Sequence, residues 1–534
     1  MTGAAGRRSG RRLPSWWVVA LVVAPLALIL WLRTGDRTGD KGMTNVATGL
    51  LTLLALAILL VWFAACRGYA PRTRLAVLGG LVLSVLLLLG LFRLEGWSGS
   101  MVPRFVPRWA GPAEWGSGDE SVAPGAAPDL TVTGPMDFPG FLGPGRDLVV
   151  EGVALARDWT ATPPRELWRR PVGAGWSGFA IVNGVAVTQE ERDGRQVVAA
   201  YRAATGEPLW SHSWEGGFDH PLGGPGPRAT PLIDRGRVFA LGPGGRLVAL
   251  DGGTGEPLWE RRLLEEYGVT PEAEAATVSY GRSNSPLAVG ELVIVPAGGR
   301  AGGRLANLAA YHRDTGERIW EGSERQIGYS SPAAATLAGV PQVLIVNEAS
   351  VTGHDPATGE ELWSHPWPGR SSADASNSQA VPLPPDRVLV SKGYGVGAAV
   401  LRLAPAGGAL AVEVLWHEGR LLRTKHTNVV VRDGYAYGLS DGILECVDLA
   451  AGERRWKRGR YGHGQILAAG DLLLVLSEEG ELFLIGLSPE HPDQVLGSLE
   501  ALDGLTWNNL ALAGDLLLVR NGREAVAYRL PTPR

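Results

Sequence analysis

The stretch Thr254-Gly255-Glu256-Pro257-Leu258-Trp259 recurs along the chain, and its recurrence decides the fold. It returns as Thr205-Gly206-Glu207-Pro208-Leu209-Trp210, Thr315-Gly316-Glu317-Arg318-Ile319-Trp320 and Thr358-Gly359-Glu360-Glu361-Leu362-Trp363. A weaker copy is Ala451-Gly452-Glu453-Arg454-Arg455-Trp456, and Trp168 and Trp416 end similar runs without the turn signature. Successive tryptophans of this series are 42, 49, 61, 43, 53 and 40 residues apart, a period that belongs to arrays of one supersecondary unit. Before each turn runs a β-rich segment such as Gly245 to Asp251, and after it a second strand ending in tryptophan. The glycine supplies the positive φ of a tight turn, and Asp and Thr side chains bond the turn backbone. The tryptophan adds a large apolar body whose indole N–H needs one acceptor, which suits a seam between neighbouring sheets.

A second repeat counts the units. Hairpins fall at 180–187, 232–240, 288–295, 337–346, 382–390, 429–437, 468–475 and 512–519. Each is a short strand, a Gly, Asp or Pro turn and a returning Val/Leu/Ile strand. Eight hairpins meet only seven tryptophan-ended strands. The final unit, Thr506 to Leu530, holds three strands, while Glu166 to Pro171 is an orphan strand ahead of the first hairpin. A ring in which this orphan pairs near Val519 or Val526 completes the last sheet and hides the strand edges. The expected fold is all-β, an eight-bladed propeller over 165–534.

The Asp-x-x-Thr-Gly-Glu-x-x-Trp repeats resemble those of the PQQ-like propeller family over roughly 138–534. That family holds quinoprotein alcohol and glucose dehydrogenases and the propeller lipoprotein of the outer-membrane barrel-assembly machine. The resemblance implies an eight-bladed PQQ-like β-propeller. It leaves function open, because the repeats build a scaffold onto which different sites are grafted.

The first hundred residues have another character. Three apolar runs, about 16–32, 44–66 and 75–92, approach the length a helix needs to cross a bilayer. Trp16, Trp17, Trp31 and Trp62 lie at their ends, as interfacial anchors do. Arg7, Arg8, Arg11 and Arg12 precede the first run and Arg67, Arg72 and Arg74 follow the second. The loop between the first two carries Arg33, Arg37 and Lys41, diluted by Asp36 and Asp40. This asymmetry puts the N-terminus in the cytoplasm and everything after Phe92 outside. The first run also has the basic leader of a signal peptide, but no Ala-x-Ala-like site follows it. Phe63-Ala64-Ala65-Cys66 loosely resembles a lipoprotein cleavage box; its Phe and the next span favour a small cysteine at a helix end instead. The expected organisation is a membrane region at 1–94, a Gly/Pro-rich linker and propeller lead-in at 95–164, and the propeller at 165–534. The expected location is a bacterial inner membrane with the propeller on the periplasmic side.

The 50 basic and 54 acidic residues leave a net charge of −4, so no global signature of a nucleic-acid partner exists. Cys66 and Cys446 are the only cysteines and no Cys-x-x-Cys-His occurs, which excludes a cysteine metal site and a c-type haem attachment. Candidate ligand-binding residues come from the positions that open each innermost strand, where the chain faces the central channel. They are Trp176, Arg228, Arg282, Asn284, Tyr329, Asn377, Gln379, Lys425, His426, Asn428, His463, Gln465, Trp507 and Asn508. Polar residues there also satisfy strand ends and ordered water. As a pocket, three cations, amides and aromatic faces suit an anionic or peptide-like ligand. A quinoprotein dehydrogenase, which the resemblance would imply together with PQQ, needs oxygen ligands for a hard cation and a base. These positions supply no Asp or Glu. No catalytic residue, metal ligand or cofactor is therefore assigned. The expectation is a membrane-anchored propeller that binds a protein partner or an anionic small ligand, with a PQQ-dependent dehydrogenase as the alternative. Reporter fusions after Trp168 should give an external signal and fusions near Arg72 an internal one; a cytoplasmic signal from the propeller would reverse the topology.

Overall fold

The computed structural model describes residues 13–35, 37–109, 128–299, 303–370, 374–407, 409–492 and 494–533. Arg7, Arg8, Arg11, Arg12 and Asp36 of the charge pattern, and part of the expected linker, lie outside these. Two compact units divide near residue 112. In the first, α1 (Trp16–Thr34), α2 (Lys41–Ala65) and α3 (Pro71–Leu91) are each long and apolar enough to cross a membrane. The Asp40 carboxylate accepts from Met43 N at 2.8 Å and so caps α2, and Pro71 opens α3. The chain then turns directly into a hairpin, Phe92–Trp97 against Pro103–Pro107, where the sequence suggested linker.

In the second unit the strands form eight four-stranded antiparallel blades around an axis. In order, their innermost strands are Ala180–Val182, Leu232–Asp234, Leu287–Val289, Ala333–Leu337, Val381–Leu383, Val430–Arg432, Gln465–Ala469 and Ala511–Ala513. The ring closes as the repeat count requires. Arg165–Pro171 is the outer strand of blade 8, with Val526 opposite Arg169 and Ala527 opposite Trp168. The N-terminal strand of the ring thus locks the C-terminal sheet.

The recurring turn explains how blades hold one another. In blade 2, Asp251 Oδ1 accepts from Gly253 N, Thr254 N and Thr254 Oγ1 at 3.0, 2.9 and 3.0 Å. Gly255 sits at φ +76, and a Cβ there would lie 2.6 Å from the indole of Trp210 in blade 1. Trp210 Nε1 in turn donates to Gly252 O at 2.9 Å. The same interlock joins Trp168 to Ala203 O, Trp259 to Arg313 O and Trp416 to Leu449 O. Each of these four tryptophans packs under the glycine turn of the following blade and bonds its backbone.

The lead-in is packed inside the ring. Phe138 pairs with Ile181 of blade 1, and Pro139 O accepts from Ile233 N of blade 2 at 2.8 Å. Arg146 donates to Pro286 O and Ser285 O of blade 3, while its own carbonyl accepts from Gln379 Nε2 of blade 5. Val149–Val150 then runs parallel to the innermost strand of blade 7. Phe138, Leu142, Leu148 and Val150 are buried in one core with blades 1, 7 and 8. The lead-in is an axial plug that pairs with inner strand edges otherwise lacking partners. Trp210→Ala should cost about 3–5 kcal/mol as a buried large-to-small change. Gly255→Ala should also destabilise, since its Cβ would meet Trp210. Urea unfolding of the purified protein measures both, and a Trp210→Ala loss under about 1 kcal/mol would remove the seam from the account.

Candidate functional site

The start of each innermost strand opens on the face of the ring opposite the first hairpin turns. The polar residues expected there form a belt that links blade to blade. Gly178 N donates to Thr230 Oγ1, Thr230 N to Ser285 Oγ and Ser285 N to Ser331 Oγ, at 3.1, 2.9 and 2.8 Å. Asn284 Nδ2 reaches Gly328 O and Ser330 O; Gln379 N donates to Asn428 Oδ1 at 2.8 Å. Gln465 Nε2 spans His426 O and Trp507 O, and Asn508 Nδ2 donates to Gly175 O and Ser177 O. Asn284, Gln379, Asn428, Gln465 and Asn508 are buried, and the amide donors of Asn284, Gln379, Gln465 and Asn508 go to the ring or its plug.

The three cations do not converge as free charges on the axis. Arg282 is fully buried, donating through Nε to Glu274 Oε1 at 2.8 Å and through Nη1 to Pro296 O and Ala297 O. Glu274 belongs to a short helix, Pro271–Thr277, inserted before blade 3. Arg228 spends its guanidinium on Gly223 O, Gly224 O and Gly226 O beneath the Phe218 ring. Lys425 is buried with its ammonium 5.1 Å from the centre of the Tyr394 ring. Arg282 is thus ion-paired, Arg228 is held by backbone carbonyls and Lys425 lies over a ring, so the three are oriented by local loops and not by a shared ligand position. Tyr329 is buried too, its hydroxyl accepting from Tyr280 N at 3.2 Å, while Asn377 is half-buried.

Carboxylates are present that inspection of the inner strands missed. The second strand of each blade ends beside the start of the first, so its last residues share this face. Glu190 and Glu478 sit at such ends. Glu190 accepts from Gly173 N at 2.7 Å and Tyr201 Oη at 2.6 Å, with Arg192 at 3.1 Å. Glu478 accepts from Trp507 Nε1 at 3.0 Å and His463 N at 3.1 Å. An acidic residue closing an apolar strand was the available signal.

What the fold does bring together is aromatic. The Trp176 and Trp507 rings lie 4.9 Å apart at 49°, His426 is 4.9 Å from Trp507, and His463 is 5.3 Å from His426. Trp176 Nε1 donates to Gly223 O at 2.6 Å and Trp507 Nε1 to Glu478, so both indoles offer ring faces and no donor. Trp176, His426 and Trp507 remain partly exposed. Burial pushes the His426 imidazole down to about 4, with the Glu478 carboxylate opposing and the Lys425 charge adding to it. At neutral pH the His426 imidazole is therefore uncharged.

The family model described as outer membrane protein assembly factor BamB matches residues 194–458, most of the first six blades. The ring is an eight-bladed β-propeller similar to the PQQ-like ones. BamB of Burkholderia pseudomallei is 27% identical over 295 residues, 51% of this chain and 66% of that protein. The quinoprotein alcohol dehydrogenase PedH of Pseudomonas putida is 26% identical over 194 residues, 35% of this chain and 30% of that protein. The matched stretch is less than two thirds of either relative. Among solved structures, the quinohemoprotein alcohol dehydrogenase from Comamonas testosteroni superposes with a TM-score of 0.53 at 13% identity. It covers 76% of this chain and 82% of that one, a likeness of fold.

PQQ with a divalent cation does not fit the mouth of this propeller. A hard cation needs several free oxygen ligands, and among the described residues no three His, Cys, Asp or Glu side chains are grouped to hold one. Glu190, Glu274 and Glu478 all serve protein donors. The histidine yields a test. Because the folded His426 value lies below the ordinary 6.5, the unfolded chain binds the proton more tightly between about 4 and 6.5, and stability falls as pH drops through that window. His426→Gln should flatten this slope relative to wild type in urea titrations at stepped pH. An unchanged slope would place His426 in water.

Proposed function

We propose that the chain is a membrane-anchored binding module. Three spans hold a PQQ-like propeller on the outer side of a bacterial inner membrane, and the mouth around Trp176, His426 and Trp507 receives a protein partner in envelope assembly. One observation carries the reading: the polar and charged side chains drawn to the mouth are largely committed to neighbouring blades and loops, while two indole faces stay partly exposed. Aromatic faces with satisfied polar ends are what protein interfaces enrich at their centres. The similarity to BamB of Burkholderia pseudomallei, named as an assembly factor, supports the same class of role. The apolar helices support the anchor, and the arginine asymmetry supports its orientation.

A quinoprotein dehydrogenase is the second reading, favoured by the match to PedH and by the paired indoles, which could flank a planar ring. The two separate cleanly. Purified protein supplied with PQQ and calcium should show no dye-linked oxidation of alcohols or sugars. Photo-crosslinker placed at Trp507 in cells should capture a defined envelope protein, and Trp176→Ala should reduce that capture at least fivefold. PQQ-dependent dye reduction, or capture unchanged by Trp176→Ala, would displace the binding reading.

A further inference from the structure

The face of the propeller that carries the plug holds a cavity outside the mouth. It occupies about 370 Å3 in the seam between blades 5 and 6, within the size range of ligand pockets. Its walls are Val381, Leu383 and Pro384 of blade 5 and Val431 and Leu449 of blade 6, and Asp147 of the lead-in closes it. Val381, Leu383 and Leu449 are buried, so the walls are fixed parts of the blade cores.

Asp147 is the chemically uneven part. Its Oδ1 accepts from Val149 N at 3.0 Å, and among the described residues no ion pair reaches it. Arg146, the next residue, turns the other way, onto Pro286 O and Ser285 O. Glu151, close enough to act on it, is a like charge paired with Arg432 at 2.7 Å. Arg387, which also lines the cavity, has Asp386 at 3.9 Å. Burial raises the Asp147 carboxyl above its ordinary range, partly offset by the Val149 N–H. A half-buried carboxylate against apolar walls gains from an opposite charge that arrives with its own apolar stem.

We propose that this cavity binds the lysine or arginine side chain of a partner protein, its aliphatic stem against Leu383, Val431 and Leu449 and its charged head on Asp147. Charge complementarity selects this occupant: an acidic or neutral group would leave the carboxylate without a counter-charge. The inference is independent of the mouth, which lies at the other end of the innermost strands.

The test uses the full chain in detergent and the peptide Ac-Gly-Leu-Lys-Leu-Gly-NH2, titrated by fluorescence anisotropy of a labelled copy. Binding should weaken at least tenfold in Asp147→Asn and at least tenfold when norleucine replaces the lysine. It should also weaken as salt rises, since exposed charge attraction is screened. Leu383→Trp, which fills the cavity and leaves the carboxylate in place, should abolish binding as well. Circular-dichroism melting checks each variant, and if Asp147→Asn fails to fold, Leu383→Trp and the norleucine peptide decide. No binding by wild type, equal binding of the norleucine peptide, or binding unaffected by the variants that fold overturns the proposal. Binding of n-hexylamine without the peptide overturns it too, because the site would then serve small amines.

Discussion

The indole of one blade lying under the glycine turn of the next is the constraint on which the ring depends. A side chain at Gly206, Gly255, Gly316 or Gly452 would collide with Trp168, Trp210, Trp259 or Trp416. Turn and tryptophan therefore require each other across a seam, although they are distant in sequence. The exceptions obey the same logic. Blade 5 lacks the glycine turn and instead extends a hairpin, Gly397–Ala406 against Ala409–Glu418. Correspondingly, Trp363 of blade 4 donates within its own blade to Gln342 Oε1, and buried Trp367, 5.4 Å from His417 of blade 5, fills that seam. Blade 8 has no such turn because its outer strand comes from the other end of the ring, and the outer strand of blade 7, Gln494–Glu500, carries no tryptophan.

This reciprocity is why the fold was legible. Each signal is local, a turn or a hairpin within about ten residues, and the repetition multiplies it. The count of eight hairpins against seven tryptophans even located the closing strand, since only a ring uses an orphan at one end to complete a sheet at the other. The lead-in was legible as a segment but its path was not, for the opposite reason. It occurs once, its regular strand is two residues long, and Leu142, Arg146 and Leu148 all adopt positive φ. Its Gly and Pro content is that of a linker. Only the edges of inner strands supplied by the rest of the chain, such as those at Ile181, Ile233 and Ala468, give it a conformation.

The candidate site divides along the same line. Which residues reach the mouth follows from the repeat, and the structure brings the rings of Trp176, His426, His463 and Trp507 together there. How they are paired does not follow, because the partners sit where the repeat breaks. Glu274 lies in a helix inserted within the longest tryptophan spacing, and the carbonyls that hold Arg228 lie in the loop at 223–226. Glu478 was hidden by attention to first strands, although second strands end on the same face. Buried cations without such partners would be costly, so their very burial required acceptors that the repeat itself does not encode.

A ring of eight similar blades must bind itself before it binds anything else. Its belt residues spend most of their donors on adjacent blades, and a ring missing those bonds would leave buried amides unsatisfied at about 1–3 kcal/mol each. Chemistry that used Glu190 or Glu478 would therefore have to recruit a carboxylate already in use. Freeing Glu478 would strip the acceptor from Trp507 Nε1 and His463 N, and freeing Glu190 would strip Gly173 N and Tyr201. Adhesion makes no such demand. It needs only the faces of Trp176 and Trp507 that ring construction leaves partly exposed, and it gains area without disturbing one bond of the belt.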